Sequence, residues 1–366
     1  MGLPVQTPNK QKQTVPAIHY VMWRFDRGGM ELSVLAYLDH WERDYSLHAY
    51  GIRATDPAFY DPARMGVAHG GQSDKRTSYL QAWRYFRRHR KHTFHLLNTG
   101  PLIVLLALLA GVKRPIYHIH GTVHGKSAIG KALIRFTWRL ANLFPITFVA
   151  NSRHSAGLFR QKALATNPQV IYNGFEVDRF FQLRHRRTTL RRLAYVGRLH
   201  AGKNVELVMS LFDKVAARYP EMELHIAGVG PREPALRQQA AGSPFAARII
   251  FHGFVDDPAT FFAEADLMLF LSDHESFGNV IAEALLTGLP VLSSHLSVFE
   301  EIYGHDSPFV LGDPNEPAQL ANRLQAALEN FPALAEAAWA IAPTIRDKFS
   351  LEGHLEQIAR LYPTHS

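Results

Sequence analysis

Short apolar runs, each followed by a stretch of helical spacing, recur from one end of this chain to the other. Strands covered on both faces read as near-continuous apolar runs, so the alternation predicts parallel sheets with crossover helices, an α/β protein. Residues Ala17–Trp23 predict the first strand, which runs into the loop RFDRGG and a helix from about Met30. Further strands are expected at Phe94–Asn98, Ile116–His120, Ile146–Asn151 and Gln169–Asn173. A second series follows at Arg191–Gly197, Glu223–Gly228, Ile249–Phe254, Leu267–Ser272 and Pro290–Ser294. The chain has 366 residues, too many for one ordinary core. Each half therefore reads as its own doubly wound, Rossmann-like domain, 1–180 and 181–349. The seam falls in the polar, basic stretch Phe181–Arg192. Two such domains facing one another would leave a cleft, with ligands at the carboxyl ends of the strands.

The chain has no cysteine, which excludes disulfides, thiolate metal sites, a cysteine nucleophile and iron–sulfur clusters. The longest apolar run, Pro101–Gly111, falls short of the roughly 20 residues that cross a bilayer. The first residues carry no apolar segment of a secretory signal. These features predict a cytoplasmic protein, with contact to the cytosolic membrane face left open.

Charge is unevenly spread. Residues 1–184 hold 25 Lys and Arg against 10 Asp and Glu, whereas residues 185–366 hold 15 against 22. No acid occurs between Asp74 and Glu176, a span with 16 Lys and Arg. Such asymmetry points to a polyanionic partner for the first half. In Trp83–His92 basic and aromatic residues interleave, and Lys131–Phe144 has apolar residues at helical spacing around Arg135 and Arg139. The second segment reads equally as a membrane-surface helix or a core-facing one. Anionic lipid and a phosphorylated substrate remain candidates; no zinc-finger spacing or RNA-binding aromatic strand supports nucleic acid.

Three loops of the second half follow strands and carry groups suited to a diphosphate. In VGRLHAGKN, Arg198 and Lys203 follow the strand end at Gly197; Arg offers a planar fork and Lys a compact charge. In AGVGPREP, Gly228 and Gly230 set a tight turn. In HESFGNVIAEALL, a helix opening near Ser276 would present free N–H groups to an anion. Glu275 then sits on the loop and Glu283 about two turns into the helix. Each signal alone fits a plain surface or turn role; together they define a site. Asp256 and Asp257 read as a helix cap rather than a metal site.

With these residues in place the sequence resembles the retaining GT-B glycosyltransferases, specifically glycosyltransferase family four (glycosyl transferases group 1). Arg198 and Lys203 look like the family's Arg-x4-Lys pair, and Glu275 and Glu283 like its Glu-x7-Glu motif. The segments around AYVGRLHAGKN, HIAGVGP, FHGFVDD and VIYNGFEVDRF follow its order. The resemblance implies a GT-B fold, with helix 350–366 rejoining the first domain. It implies that Arg198 and Lys203 neutralise a leaving diphosphate, that Glu283 holds ribose hydroxyls and Glu275 donor-sugar hydroxyls. Backbone groups of Ser276, Phe277, Gly278 and Asn279 would touch sugar or diphosphate, with Val280 and Phe254 beside the donor. Gly28 and Gly29 look like the family's glycine loop. His120 looks like its histidine beside the donor sugar, with His118 and His124 as competing candidates.

The implied reaction moves a hexosyl unit from a nucleotide sugar, UDP-sugar first and GDP-mannose second, to a saccharide or anionic lipid-linked acceptor in cell-envelope glycan synthesis. Neither cofactor nor metal is expected, since no Asp-x-Asp occurs and Arg and Lys can meet the diphosphate charge. A nucleotide-sugar epimerase of the same architecture and a non-catalytic sugar-nucleotide binding protein are the competing readings.

Overall fold

The computed structural model describes residues 15–24, 29–41, 44–53, 68–69, 75–121, 127–163 and 167–363. Thirteen strands are present among them: β1 Ala17–Met22, β2 Ser46–Gly51, β3 Ala68–His69, β4 Thr93–Leu97, β5 Ile116–Ile119, β6 Thr147–Ala150, β7 Gln169–Val170, β8 Arg192–Val196, β9 Glu223–Ala227, β10 Ile249–Gly253, β11 Leu267–Phe270, β12 Val291–Ser294 and β13 Val310–Gly312. They form a seven-stranded sheet in the order β3-β2-β1-β4-β5-β6-β7 and a six-stranded sheet in the order β10-β9-β8-β11-β12-β13. Every recorded strand pairing is parallel. In each sheet the strand order reverses beside the first strand, at β1/β4 and at β8/β11. That reversal opens a crevice beyond the carboxyl ends, the place where doubly wound sheets hold ligands.

The chain divides into two compact units, 1–118 with 123–148 and 360–366, and 119–122 with 149–359. The polar stretch 181–192 is bound into the second unit. Its Arg187 is buried and donates to the carbonyls of Ala265 at 2.7 Å, Phe262 at 2.8 Å and Thr287 at 3.2 Å. With the His185 carbonyl at 3.0 Å as a fourth acceptor, the five donors of the planar guanidinium satisfy four carbonyls, one more than the three donors of a lysine could. The helix Leu351–Ala359 lies in the second unit, and residues 360–366 in the first.

In the first unit the imidazole of His95 bonds the Tyr362 hydroxyl at 2.7 Å and His118 at 3.2 Å, and Tyr362 reaches the Tyr20 hydroxyl at 3.3 Å. All four side chains are buried, so His118 is a hydrogen-bonded core histidine. The helix Lys75–Arg88 resolves the basic aromatic run: Phe86 is buried and packs on Phe94, Tyr85 stacks on Tyr50 at 4.1 Å, and Arg84, Arg87 and Arg88 face solvent. Helical spacing thus separates apolar rings from charges that alternate in the sequence. No helix among the described residues is long and apolar enough to cross a membrane.

The helix Ala128–Ala141 does something the sequence left open. Ser127 caps it, its hydroxyl accepting from Gly130 N–H at 3.1 Å. Thr137, Trp138 and Ala141 are buried, with Trp138 against Tyr117 and Phe148. Ile129, Leu133 and Phe136, together with Leu143 and Phe144 just beyond, are exposed, Ile129 to 82%. An apolar stripe therefore faces outward beside Lys131, Arg135 and Arg139.

Candidate functional site

The site is built in the second unit, on the loops that leave β8, β9 and β11. After β8 the chain turns at Gly197, φ +155°, and passes the exposed Arg198. A single 3-10 turn, Ala201–Lys203, then places Lys203 at its end. Asn204 follows in the left-handed conformation, φ +51°, and donates from its amide to the Leu271 carbonyl at 2.8 Å and to Asp273. Asp273 N–H in turn bonds the Gly202 carbonyl at 3.0 Å. These bonds tie the β8 loop to the β11 loop, on the two sides of the switch point.

The tie brings Lys203 and Glu275 together. The Lys203 ammonium donates to a Glu275 carboxylate oxygen, and the Ser272 hydroxyl donates to the same oxygen at 3.1 Å. The side chains are 16% and 15% exposed, so the pair is largely withdrawn from water. Lys203 also lies over the Phe270 ring, 5.4 Å from its centroid. In a mostly desolvated ion pair of this kind, taking away one partner leaves the other charge buried and uncompensated.

The glycines of the β9 loop serve the backbone. A Cβ on Gly228, at φ +143°, would lie 1.9 Å from the Gly197 carbonyl oxygen, and one on Gly230 would lie 2.3 Å from that of Leu199. Leu199 N–H bonds the Val229 carbonyl at 3.0 Å, and Gly228 N–H bonds the Gly253 carbonyl at 2.6 Å. The close approach that demands glycine here is loop to loop, and it fixes where Arg198 emerges. Phe254, one residue past β10, is 48% exposed. At Asp257 the expected helix cap is present: its carboxylate accepts from the Thr260 hydroxyl at 2.5 Å at the start of the helix Pro258–Glu264.

The helix following β11 starts three residues later than its sequence suggests. It spans Asn279–Leu286, because Gly278 takes the left-handed conformation at φ +99° and a side chain there would meet the Phe299 ring at 2.7 Å. Glu283 is therefore the fifth helical residue, little more than one turn in. Its carboxyl is densely surrounded, and burial pushes its pKa up to about 7, opposed by the Arg179 guanidinium. Phe277 is a core residue, its ring among Tyr172, Phe175 and Phe349, so only its main chain is available to a ligand. Val280 is partly buried against the same core.

Sequence reasoning missed a set of polar partners that order this loop. The Ser276 carbonyl accepts from the hydroxyls of Ser152 at 2.7 Å and Ser155 at 3.1 Å. The Asn279 side-chain oxygen accepts from Asn173 at 2.8 Å. The only signal for these was Asn173 at the end of a predicted strand. His120, at the carboxyl end of β5, is neutral: burial and the nearby His354 push its pKa down to about 3. Gly29 begins the helix Gly29–Trp41; Gly28 and His124 lie outside the described residues.

Residues 191–330, which include Arg198, Lys203, Glu275 and Glu283, match the family model described as glycosyl transferases group 1. Over 253 residues the chain is 28% identical to phosphatidyl-myo-inositol mannosyltransferase of Mycobacterium tuberculosis, covering 65% of this chain and 58% of that protein. Over 138 residues it is 24% identical to 2-deoxystreptamine N-acetyl-D-glucosaminyltransferase of Niallia circulans, 37% of this chain and 36% of that one. The chain thus spans less than two thirds of the length of these curated relatives. In fold it is similar to Anabaena HepE, solved in complex with UDP, with a TM-score of 0.76 at 20% identity over 94% of this chain and 99% of that one. It is equally similar to WaaG, a glycosyltransferase involved in lipopolysaccharide biosynthesis, with a TM-score of 0.76 at 16% identity over the same shares.

Proposed function

We propose, for a chain with the GT-B fold whose residues 191–330 match the model of glycosyl transferases group 1, that it moves a hexosyl unit from a nucleoside diphosphate sugar, UDP-sugar first and GDP-mannose second, to a saccharide or lipid-linked saccharide acceptor of envelope glycan synthesis. The observation that carries this reading is the meeting of the β8 and β11 loops at the switch point. There Lys203 and Glu275 pair and Arg198 stands exposed on the same loop.

The chemistry follows from charge. Breaking the anomeric C–O bond leaves positive charge on the sugar and negative charge on the diphosphate. Arg198 and Lys203 stabilise the departing diphosphate, with the first N–H groups of the helix Asn279–Leu286 aiding. Once Lys203 turns to the phosphate, Glu275 is released to accept from donor-sugar hydroxyls, and Glu283 accepts from the ribose. His120, uncharged, offers a hydrogen bond to the sugar without adding charge. The acceptor oxygen forms the new bond on the face the diphosphate leaves. Its proton passes to the departing phosphate oxygen, so configuration is retained and no divalent ion is required.

A nucleotide screen tests the reading. UDP-sugars at a hundredfold excess over Kd raise stability by about 2.7 kcal/mol, read as a rise in Tm. Turnover with acceptor releases UDP, in the presence of EDTA as well. A screen in which no UDP, GDP or ADP sugar stabilises the protein would remove the site. A changed sugar on an intact nucleotide, without acceptor, would establish the epimerase reading instead.

The acceptor side includes the outward apolar stripe of the helix Ala128–Ala141. Ile129, Leu133 and Phe136 flanked by Lys131, Arg135 and Arg139 suit insertion into an anionic lipid surface. Sedimentation with vesicles is expected to show binding to phosphatidylglycerol-containing vesicles over phosphatidylcholine ones. The variant Leu133→Glu/Phe136→Glu should lose most of it; equal partition into both vesicle types would exclude the membrane role.

A further inference from the structure

Three imidazoles of the first unit, those of His19, His89 and His92, converge at the amino-terminal ends of β1 and β4, and we propose that they bind one divalent transition-metal ion, of which zinc is the type. This site is separate from the transfer chemistry and does not rest on that reading. It lies at the opposite end of the first sheet from the carboxyl ends where ligands of such sheets bind.

The placement follows from the chain. His19 is the third residue of β1, and the register sets it beside His48 on β2 and Phe94 on β4. His89 comes directly after the helix Lys75–Arg88, and its N–H bonds the Tyr85 carbonyl at 3.1 Å. A turn closed by His92 N–H on the His89 carbonyl at 2.8 Å then brings His92 to the start of β4. One ring nitrogen from each of the three lies within 4.8 Å of the other two. His19 Nε2 and His92 Nδ1 are 2.8 Å apart. Tetrahedral zinc, with Zn–N bonds of about 2.0–2.1 Å, separates its ligand nitrogens by about 3.3 Å. The first pair needs to open by about half an ångström, and His89 to close by up to about 1.5 Å, to admit the ion.

The surroundings have what a ligating imidazole requires. His19 is fully buried, and its second nitrogen, Nδ1, lies 2.6 Å from the Tyr85 hydroxyl. With Nδ1–H donating to that oxygen, Nε2 keeps its lone pair for the ion; such an outer contact fixes the tautomer and ring orientation of metal-bound histidines. Tyr85 is itself held by its stack on Tyr50. His48 forms a wall: its ring stacks on His19 at 4.6 Å, and its Nε2 is held by the Ser46 hydroxyl at 3.2 Å. His92 is exposed and His89 half-buried, so the ion has a way in and a fourth position for water. Three imidazole nitrogens suit zinc, cobalt, nickel or copper ahead of the hard ions. An ion here would clamp the end of the helix Lys75–Arg88 to β1 and β4.

The test uses the full chain without a purification tag, stripped with a chelator and dialysed. Calorimetry with Zn²⁺ alone is expected to give one ion per chain, and Co²⁺ the intense visible absorption of a tetrahedral centre. Zn²⁺ also raises Tm. His89→Ala and His92→Ala, both at accessible positions, should each weaken Zn²⁺ binding at least tenfold and abolish the Co²⁺ spectrum, while His305→Ala, an exposed histidine elsewhere, leaves both unchanged. No stoichiometric binding, or binding that survives both His89→Ala and His92→Ala, overturns the site.

Discussion

Replacing Lys203 with alanine is expected to lower kcat/KM for the nucleotide-sugar donor by about 10²–10³-fold, the scale of losing one preorganised charge at a developing anion. The loss has two parts. The diphosphate forfeits a cation delivered by a rigid 3-10 turn, and Glu275 is left without the ammonium, held only by the Ser272 hydroxyl. A carboxylate that is only 15% exposed and no longer paired then repels the diphosphate it should help to orient. Lys203→Ala/Glu275→Gln removes that repulsion and should recover part of the loss, so the two changes are not additive. UDP release under steady state measures the effect, and Tm controls for folding. Unchanged donor kinetics in Lys203→Ala would take the β8 and β11 loops out of the reaction.

The pair at the centre of this prediction was only half legible in the sequence. Arg198, Lys203, Glu275 and Glu283 stand out because cations and carboxylates follow strand ends, and the strands themselves are apolar runs that hydropathy reveals. Nothing local says that residues 72 positions apart meet; that depends on β8 and β11 being neighbours, which is a property of strand order. Strand β2, SLHAYG, escaped because Ser46 and His48 break its apolar run, and β13 because it has three residues. The helix after β11 was placed too early because the run from Ser276 is a plausible start, whereas the left-handed Gly278 delays it. In the basic aromatic segment helical spacing turns Phe86 into the core, half-buries Trp83 and Tyr85 and leaves Arg84, Arg87 and Arg88 exposed, a division the run of residue types does not show. In the helix Ala128–Ala141 the same spacing sends apolar residues outward, and only the buried Thr137, Trp138 and Ala141 show which face was taken.

Glu283→Gln is expected to separate the two roles that burial gives this carboxyl. Its pKa is raised from 4.5 to about 7 in the folded protein, so between those values the native state holds more protons than the unfolded one. Stability from this group is therefore full below the unfolded value and is lost as pH rises through 7, by no more than about 3 kcal/mol. Urea midpoints should fall from pH 5 to pH 8 in the parent by more than in Glu283→Gln, which has nothing to ionise. Donor binding runs the other way. Ribose hydroxyls donate to the ionised carboxylate, and hydrogen bonding to the charged form favours it. Affinity for an intact UDP-sugar, whose diphosphate does not titrate here, should rise from pH 6 to pH 8 and level off above 7. Hydrogen bonds to a charged group contribute about 1.5–3 kcal/mol, so Glu283→Gln should weaken the donor about 10–100-fold at pH 8 and by less at pH 6. Calorimetric titrations of both proteins across this range decide it. A parent whose donor affinity is flat or falls with pH, or a variant that binds as tightly at pH 8, would mean that Glu283 spends its burial on something other than the ribose.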